Sequence, residues 1–506
     1  MPTVTIVRVG KMPPISLLVF VVGAGSLGAE IAAVRLMSPY FGASEIVWAN
    51  TIGIVLVALS VGYWLGGRFA DRHPNRRGLC LLVLAAAVML AAVPFAARPM
   101  LDLAVSALDS IAAGAFLGSL FGVLGLVAVP VLLLGAATPW ALRLAMPDVG
   151  TAGTVAGRLY AISTAGSLAG TLLSALLLIP LVGTRRTFLL FALVIAAVAV
   201  MGLRPWWRYA LVPVGIAVLI ALPVGTLKAS QTGRILDERE THYQYARVVE
   251  YPDGDRTLEL NEGQAIHSLY RPGTVLSRNY WDSALVLPFT SLAQPPARVA
   301  ILGNAAGTMA RAYGHFYPQT RVDGVEIDPE LSEMGRRWFG MSGPDLHVYD
   351  EDARPFLRRT DALYDVIVID AYRQPYIPFY LTTEEFFESV RQHLTPEGVV
   401  IVNVGHPDGE FDLERVMAAT MRRSFDGVLR FPAAPTNTLL IGGADAPSAA
   451  KLAATAGSLP PELRGIARAA AAKTGPALPG GQVYTDDRAP VEWLIDRSIV
   501  EYAAGG

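Results

Sequence analysis

About seven stretches of mostly apolar residues, each near the length needed to cross a bilayer, crowd the first 227 positions of this 506-residue chain. They lie near 15–36, 46–66, 79–97, 114–137, 155–180, 187–203 and 209–227. A helix needs about 20 apolar residues to span the hydrocarbon core, and only helices or closed barrels satisfy their own backbone there. The links are short and carry Gly, Pro and Arg, as in RFADRHPNRR. The pattern predicts a multi-pass α-helical membrane domain of about seven spans over residues 1–227, seated in a lipid bilayer. Charge divides the chain at the same place. Up to residue 227 there are 14 Lys and Arg against 6 Asp and Glu, and beyond it 27 against 37.

Just after the first apolar run stands GAGSLGAE, Gly23 to Glu30, with the G-x-G-x-x-G spacing of a dinucleotide loop. Such a loop needs a second strand closed by an acid roughly 20 residues on, to hold a ribose. The chain reads AEIAAVRLMSPYFGASEIVW there and offers none. Small residues in a span are expected instead to form a close helix–helix packing face. Glu30, an ionisable group in a span, is expected to pair with Arg35 near the membrane surface. Basic residues in short loops favour the cytoplasmic side. Arg68, Arg72, Arg76, Arg77, Arg143, Arg204 and Arg208 collect on the side of the N-terminus, while Arg35, Arg98, Arg185 and Arg186 collect on the other. With seven spans this bias places the second half of a cell-membrane protein outside.

From Thr241 the pattern changes. YARVVEY and RTLELN alternate around PDGD and read as a hairpin, with AIHSLY as a further strand. Buried-strand patterns then alternate with helical ones: VAILG, VDGVEID, LHVYD, YDVIVIDA and GVVIVNV. The expectation is a linker and small β domain over 228–295, then an α/β Rossmann-like domain over 296–506 with a mostly parallel sheet. Ligands bind such sheets at the carboxyl ends of the strands. Here LGNAAGTMAR is the better glycine loop. Gly303 and Gly307 flank a strand-to-helix turn, and Glu326 closes the next strand, where a carboxylate accepts ribose hydroxyls. Glu351 and Asp352 follow the third strand and suit an adenine amino group; Asp352 also suits a helix cap. Asp370 ends the fourth strand and points to the same crevice. No His/Cys cluster has metal spacing, so no metal is expected.

These residues resemble the spermidine synthase (polyamine aminopropyltransferase) family, over roughly 240–406. The tail TDDRAPVE resembles that of members in which several spans precede the synthase domain. The resemblance implies a methyltransferase-type core behind a small β domain. It implies transfer of an aminopropyl group from decarboxylated S-adenosylmethionine, as co-substrate, to a small amine. Gln244, Gly303, Gly307, Glu326, Glu351 and Asp352 would hold the donor, Tyr280 would orient the amine, and Asp370 would accept its proton. No nucleic acid is expected as a partner, and a homo-oligomer remains open.

Three positions depart from the family pattern. The acid of the family's Gly-Gly-Gly-Asp-Gly loop is Ala306 here. The His of its Tyr-His-Glu-type motif is Trp281. The second Asp after Asp370 is missing, and Arg373 stands nearby. A dication wants carboxylates at both ends, because a buried unpaired ammonium is costly. The acceptor expected is therefore not plain putrescine. Two other readings stay open: another S-adenosylmethionine-type group transferase, and a non-catalytic membrane transporter or sensor that binds a nucleoside or amine. An adenosyl donor is made in the cytosol, so donor chemistry puts the domain inside, against the charge bias.

Overall fold

The computed structural model describes residues 14–41, 45–108, 114–146, 149–222, 233–261, 266–372, 376–443, 445–495 and 497. They fall into two compact units that part between Ala229 and Ser230.

In the first unit five helical runs are long and apolar enough to cross a membrane: Ile15–Phe41, Val47–Arg72, Arg76–Leu101, Leu117–Ala145 and Ala152–Met201. The expected count was seven. The stretches near 155–180 and 187–203 occupy one run of 50 residues, broken where Gly183 leaves helical geometry (φ 82°, ψ 165°). At 1.5 Å per residue such a run holds roughly 75 Å of helix, over twice the hydrocarbon thickness. The stretch near 209–227 supplies the helix Leu211–Ala221, of 11 residues, short of a crossing. Large apolar side chains such as Leu56, Val57, Trp64 and Leu181 are exposed. This outward apolar surface suits lipid rather than water. Together the five runs mark a multi-pass membrane unit.

The first helix is the most enclosed of the five. A Cβ on Gly28 would come within 2.3 Å of the Phe191 ring, and one on Gly170 within 2.0 Å of the Ala24 carbonyl. Gly166 meets Phe20 in the same way, and Ser174 Oγ donates to the Gly28 carbonyl at 3.0 Å. Pairs 20/166, 24/170 and 28/174 rise together, so the two helices run parallel with their backbones nearly touching. GAGSLG is thus a packing face. Glu30 was expected toward the end of its span. Its helix extends to Phe41, which puts Glu30 near mid-helix. The side chain is buried, and its Oε2 has no hydrogen-bond partner. Residues assigned to a common side do share an end: Arg143 Nε lies 3.3 Å from Asp71 Oδ1, and Arg77 Nη2 donates to Tyr209 Oη at 3.3 Å.

The second unit opens with a four-stranded antiparallel sheet, β1 (Arg234–Glu240), β2 (Tyr245–Glu250), β3 (Arg256–Leu260) and β4 (Ile266–Tyr270). The hairpin β2–β3 turns at the expected PDGD, while the charged β1, RILDERE, has no hydrophobic signature and was not anticipated. An eight-stranded sheet follows. Its parallel core is β5 (Arg298–Leu302), β6 (Arg321–Glu326), β7 (Leu346–Asp350), β8 (Tyr364–Ile369) and β9 (Leu394–Gly405). The sheet is completed antiparallel by β10 (Val428–Ala434), β11 (Asn437–Gly443) and the short β12 (Gly475–Pro476). The order β12-β10-β11-β9-β8-β5-β6-β7 reverses direction at β5, with β6 and β7 to one side and β8 and β9 to the other. A crevice at the carboxyl ends is expected at such a reversal. Apolar residues of β5, β8 and β9 are buried on both faces, which is why these strands read as unbroken hydrophobic runs.

Candidate active site

The chain leaves β5 through Gly303–Gly307. Gly303 has φ +93°, and a Cβ there would lie 2.4 Å from the Asp370 carbonyl oxygen, so only glycine fits between the loop and the end of β8. The loop is also tied to β6. Gly303 and Asn304 donate to the Val325 carbonyl at 2.9 and 3.0 Å, and the Ala305 N–H donates to Glu326 Oε2 at 2.8 Å. Gly307 (φ +84°) then caps the helix Thr308–Phe316. Ala306 is fully buried, and its N–H donates to Ser268 Oγ at 2.9 Å.

Glu326 is buried at the end of β6, with its Oε1 accepting from the Asp328 N–H at 3.0 Å. Burial pushes its carboxyl up to about 7, against the pull of the backbone donors. Gln244, buried before β2, reaches Asp328 Oδ2 at 3.4 Å, and Thr241 donates to the same oxygen at 2.6 Å. The small sheet is thereby fastened beside Glu326. Asp352 serves as a cap, accepting from the Arg354 N–H at 2.9 Å, and its Oδ2 accepts from Tyr380 Oη at 2.6 Å. Glu351 is paired with Arg359.

Asp370 stands across the Gly303 loop from Glu326. Its Oδ2 accepts from Tyr280 Oη at 3.0 Å and from Trp281 Nε1 at 3.1 Å, and its Oδ1 from Asn403 Nδ2 at 2.8 Å. Burial raises its carboxyl to about 6, while these three donors pull the other way. Tyr280 and Trp281 sit at the start of the helix Tyr280–Ala284, capped by Asn279, whose Oδ1 accepts from the Tyr280 N–H. Asn403 comes from β9 and is itself held by Asn437 of β11, whose Nδ2 donates to Asn403 Oδ1 at 3.0 Å. Tyr372 packs beside them, donating to the Asn403 carbonyl at 3.1 Å. Asn403, Asn437, Tyr372 and Tyr380 were missed by sequence reasoning. A polar residue interrupting a buried apolar strand, as Asn403 does in VVIVNV, was the available signal. Arg373 lies outside the described residues.

The site therefore has two halves on either side of β5. Glu326 and Asp352 follow β6 and β7 on one, with Gln244 beside Glu326 through Asp328, and Asp370 with Tyr280, Trp281 and Asn403 forms the other. Residues 285–452 match the Spermine/spermidine synthase domain model. The C-terminal half of this chain carries a spermine/spermidine synthase domain.

A probable polyamine aminopropyl transferase of Bifidobacterium longum (strain NCC 2705) is 34% identical over 190 residues, 37% of this chain and 42% of that protein. The chain thus spans less than half of that relative's length. A polyamine aminopropyltransferase of Vibrio vulnificus (strain CMCP6) is 29% identical over 225 residues, 43% of this chain and 74% of its own. The human eEF1A lysine and N-terminal methyltransferase is 29% identical over 163 residues, 26% of this chain and 22% of its own. Among solved structures, a probable spermidine synthase from Corynebacterium glutamicum ATCC 13032 aligns with a TM-score of 0.39 at 22% identity, covering 52% of this chain and all of its own.

Proposed function

We propose that the synthase domain transfers an aminopropyl group from decarboxylated S-adenosylmethionine to a small amine that is not plain putrescine, within a membrane-anchored enzyme. The observation that carries this reading is the setting of Asp370: a buried carboxyl at the end of β8, raised to about 6 and held by three donors. Such a group is ionised at neutral pH and ready to take a proton.

In this reading Glu326 accepts the ribose hydroxyls and Asp352 receives the adenine amino group, with Gln244 and Gly303 shaping the same half. The neutral amine attacks the aminopropyl carbon beside the sulfonium. The new C–N bond forms as the C–S bond breaks, and the electron pair goes to sulfur, which leaves as the neutral thioether of methylthioadenosine. The proton shed by the new ammonium passes to Asp370. Tyr280 holds that carboxylate and orients the amine. The protein's task is alignment and desolvation, since the leaving group needs no acid. Ala306, buried and apolar, supplies no charge where the family pattern has an acid, and this supports an acceptor with one cationic end fewer.

The test is turnover by the full-length chain in detergent, given decarboxylated S-adenosylmethionine and a panel of mono- and diamines. Methylthioadenosine formed in step with an aminopropylated amine supports the reading. A methylated product from S-adenosylmethionine, with no aminopropyl transfer, overturns it.

A further inference from the structure

The tail TDDRAPVE, residues 485–492, lies beyond the residues 285–452 that match the synthase domain. It is nonetheless wired to the donor half of the site. Asp486 takes both ends of the Arg354 guanidinium, Nη1 to Oδ1 at 2.8 Å and Nη2 to Oδ2 at 2.7 Å. The tail itself is well anchored. Thr383 Oγ1 donates to Asp486 Oδ1 at 2.7 Å, the Asp486 N–H donates to Glu385 Oε2 at 2.9 Å, and the Glu384 N–H donates to the Tyr484 carbonyl at 2.8 Å.

Arg354 is the pivot. Its backbone N–H donates to Asp352 Oδ1, and its Nη1 donates to the Tyr380 carbonyl at 3.2 Å, while Tyr380 Oη donates to Asp352 Oδ2. One guanidinium therefore joins the tail to both Asp352 and the tyrosine that holds it. The Arg354 side chain is only 11% exposed. A nearly buried cation two residues from Asp352 would draw that carboxylate to itself if it had no better partner. The bidentate pair with Asp486 supplies that partner and fixes the orientation of the planar fork.

We propose that the C-terminal tail is a working part of the donor site. Asp486 is a positioning residue that acts through Arg354 to keep Asp352 and Tyr380 set for the adenosyl end of the donor. This rests on the donor reading given above.

The experiment is equilibrium dialysis of the full-length chain in detergent with methylthioadenosine, the nucleoside that the reaction releases. Asp486→Asn is expected to weaken binding about fivefold, the scale of a well-oriented partly exposed ion pair. Asp487→Asn, at the exposed neighbour, serves as the control and is expected to bind as the parent does. In an Arg354→Gln background, Asp486→Asn is expected to add no further loss, because its effect passes through that guanidinium. A tail that served only to hold the fold would lower the melting temperature in either background and leave affinity unchanged, which would overturn the proposal. Equal affinity of parent and Asp486→Asn would also overturn it, with the donor reading intact. A parent that binds no nucleoside overturns the donor reading itself, and this proposal with it. Should Asp486→Asn fail to fold, Arg354→Lys removes the fork but keeps the charge, and unchanged affinity there overturns the proposal equally.

Discussion

The indole Nε1 of Trp281 donates to Asp370 Oδ2 at 3.1 Å, sharing that oxygen with the Tyr280 hydroxyl. A donor on a carboxylate favours its ionised form, so removing one raises the pKa. Trp281→Phe keeps an aromatic ring and deletes the N–H. The acidic limb of the pH profile of kcat at saturating donor, expected near 6 in the parent from the Asp370 carboxyl, should move upward. A limb that stays in place would separate Trp281 from the titration of Asp370.

Asp370→Asn keeps the shape of the side chain and abolishes its capacity to take a proton. General-base contributions are typically about 10² to 10⁴ in rate. A loss of kcat in that range is expected, with methylthioadenosine binding kept within a few-fold, because Glu326 and Asp352 stand on the other side of the Gly303 loop. Equal loss of binding and turnover would instead assign Asp370 to holding the donor.

Glu326 gives a second pH dependence. Burial holds its carboxyl at about 7, and only the ionised form accepts both ribose hydroxyls. Donor affinity should therefore rise as pH increases through about 7, and Glu326→Gln should flatten that rise. Stability runs the opposite way. The folded state holds the Glu326 and Asp370 protons more tightly than the unfolded chain does. The contribution of these protons is full below about pH 4 and lost by about 7. Urea titrations of the parent against Glu326→Gln across that window measure it.

Much of the architecture could be read from the chain, and for a plain reason. The central strands β5, β8 and β9 are buried on both faces, so they appear as short apolar runs, and the acids that end β6 and follow β8, Glu326 and Asp370, stand out. GAGSLG was readable as packing because no second strand followed it. What escaped detection depends on distant partners. The strand RILDERE is half-buried, its charges paired with partners such as Glu333 and Trp338, and it shows no apolar alternation. Asn437 reaches Asp370 only through Asn403. Asp486 meets Arg354 across 132 positions. The first apolar stretch was placed near 15–36, whereas its helix continues to Phe41, which moves Glu30 toward the middle.

Gly303→Ala should be severe. The residue needs φ +93°, and a methyl group would lie 2.4 Å from the Asp370 carbonyl. Left-handed strain alone costs about 1–2 kcal/mol, and the clash must also push the loop from the end of β8. Loss of methylthioadenosine binding is expected together with a lower melting temperature of the second unit. Binding that survives would show that the loop relaxes without opening.

In the membrane unit, Gly170→Leu would place a side chain where the Ala24 carbonyl lies 2.0 Å from a Cβ. Overpacking of this kind costs about 1–3 kcal/mol. A lower melting temperature in detergent is expected, while Gly215→Leu, with open space around it, should leave it unchanged. Equal behaviour of the two would mean that the parallel helix pair separates without cost.

The reversal of strand order at β5 also bears on how such a chain changes over generations. In the proposed reading the carboxylates assigned to the nucleoside follow β6 and β7, while Asp370 and Asn403, assigned to the amine end, belong to β8 and β9, with one glycine loop between the two groups. On that reading, substitutions on the second flank would alter the amine partner without disturbing the first. The replacement at 281 would fit that freedom, since Trp281 donates to Asp370, whereas Ala306 belongs to the loop the two flanks share.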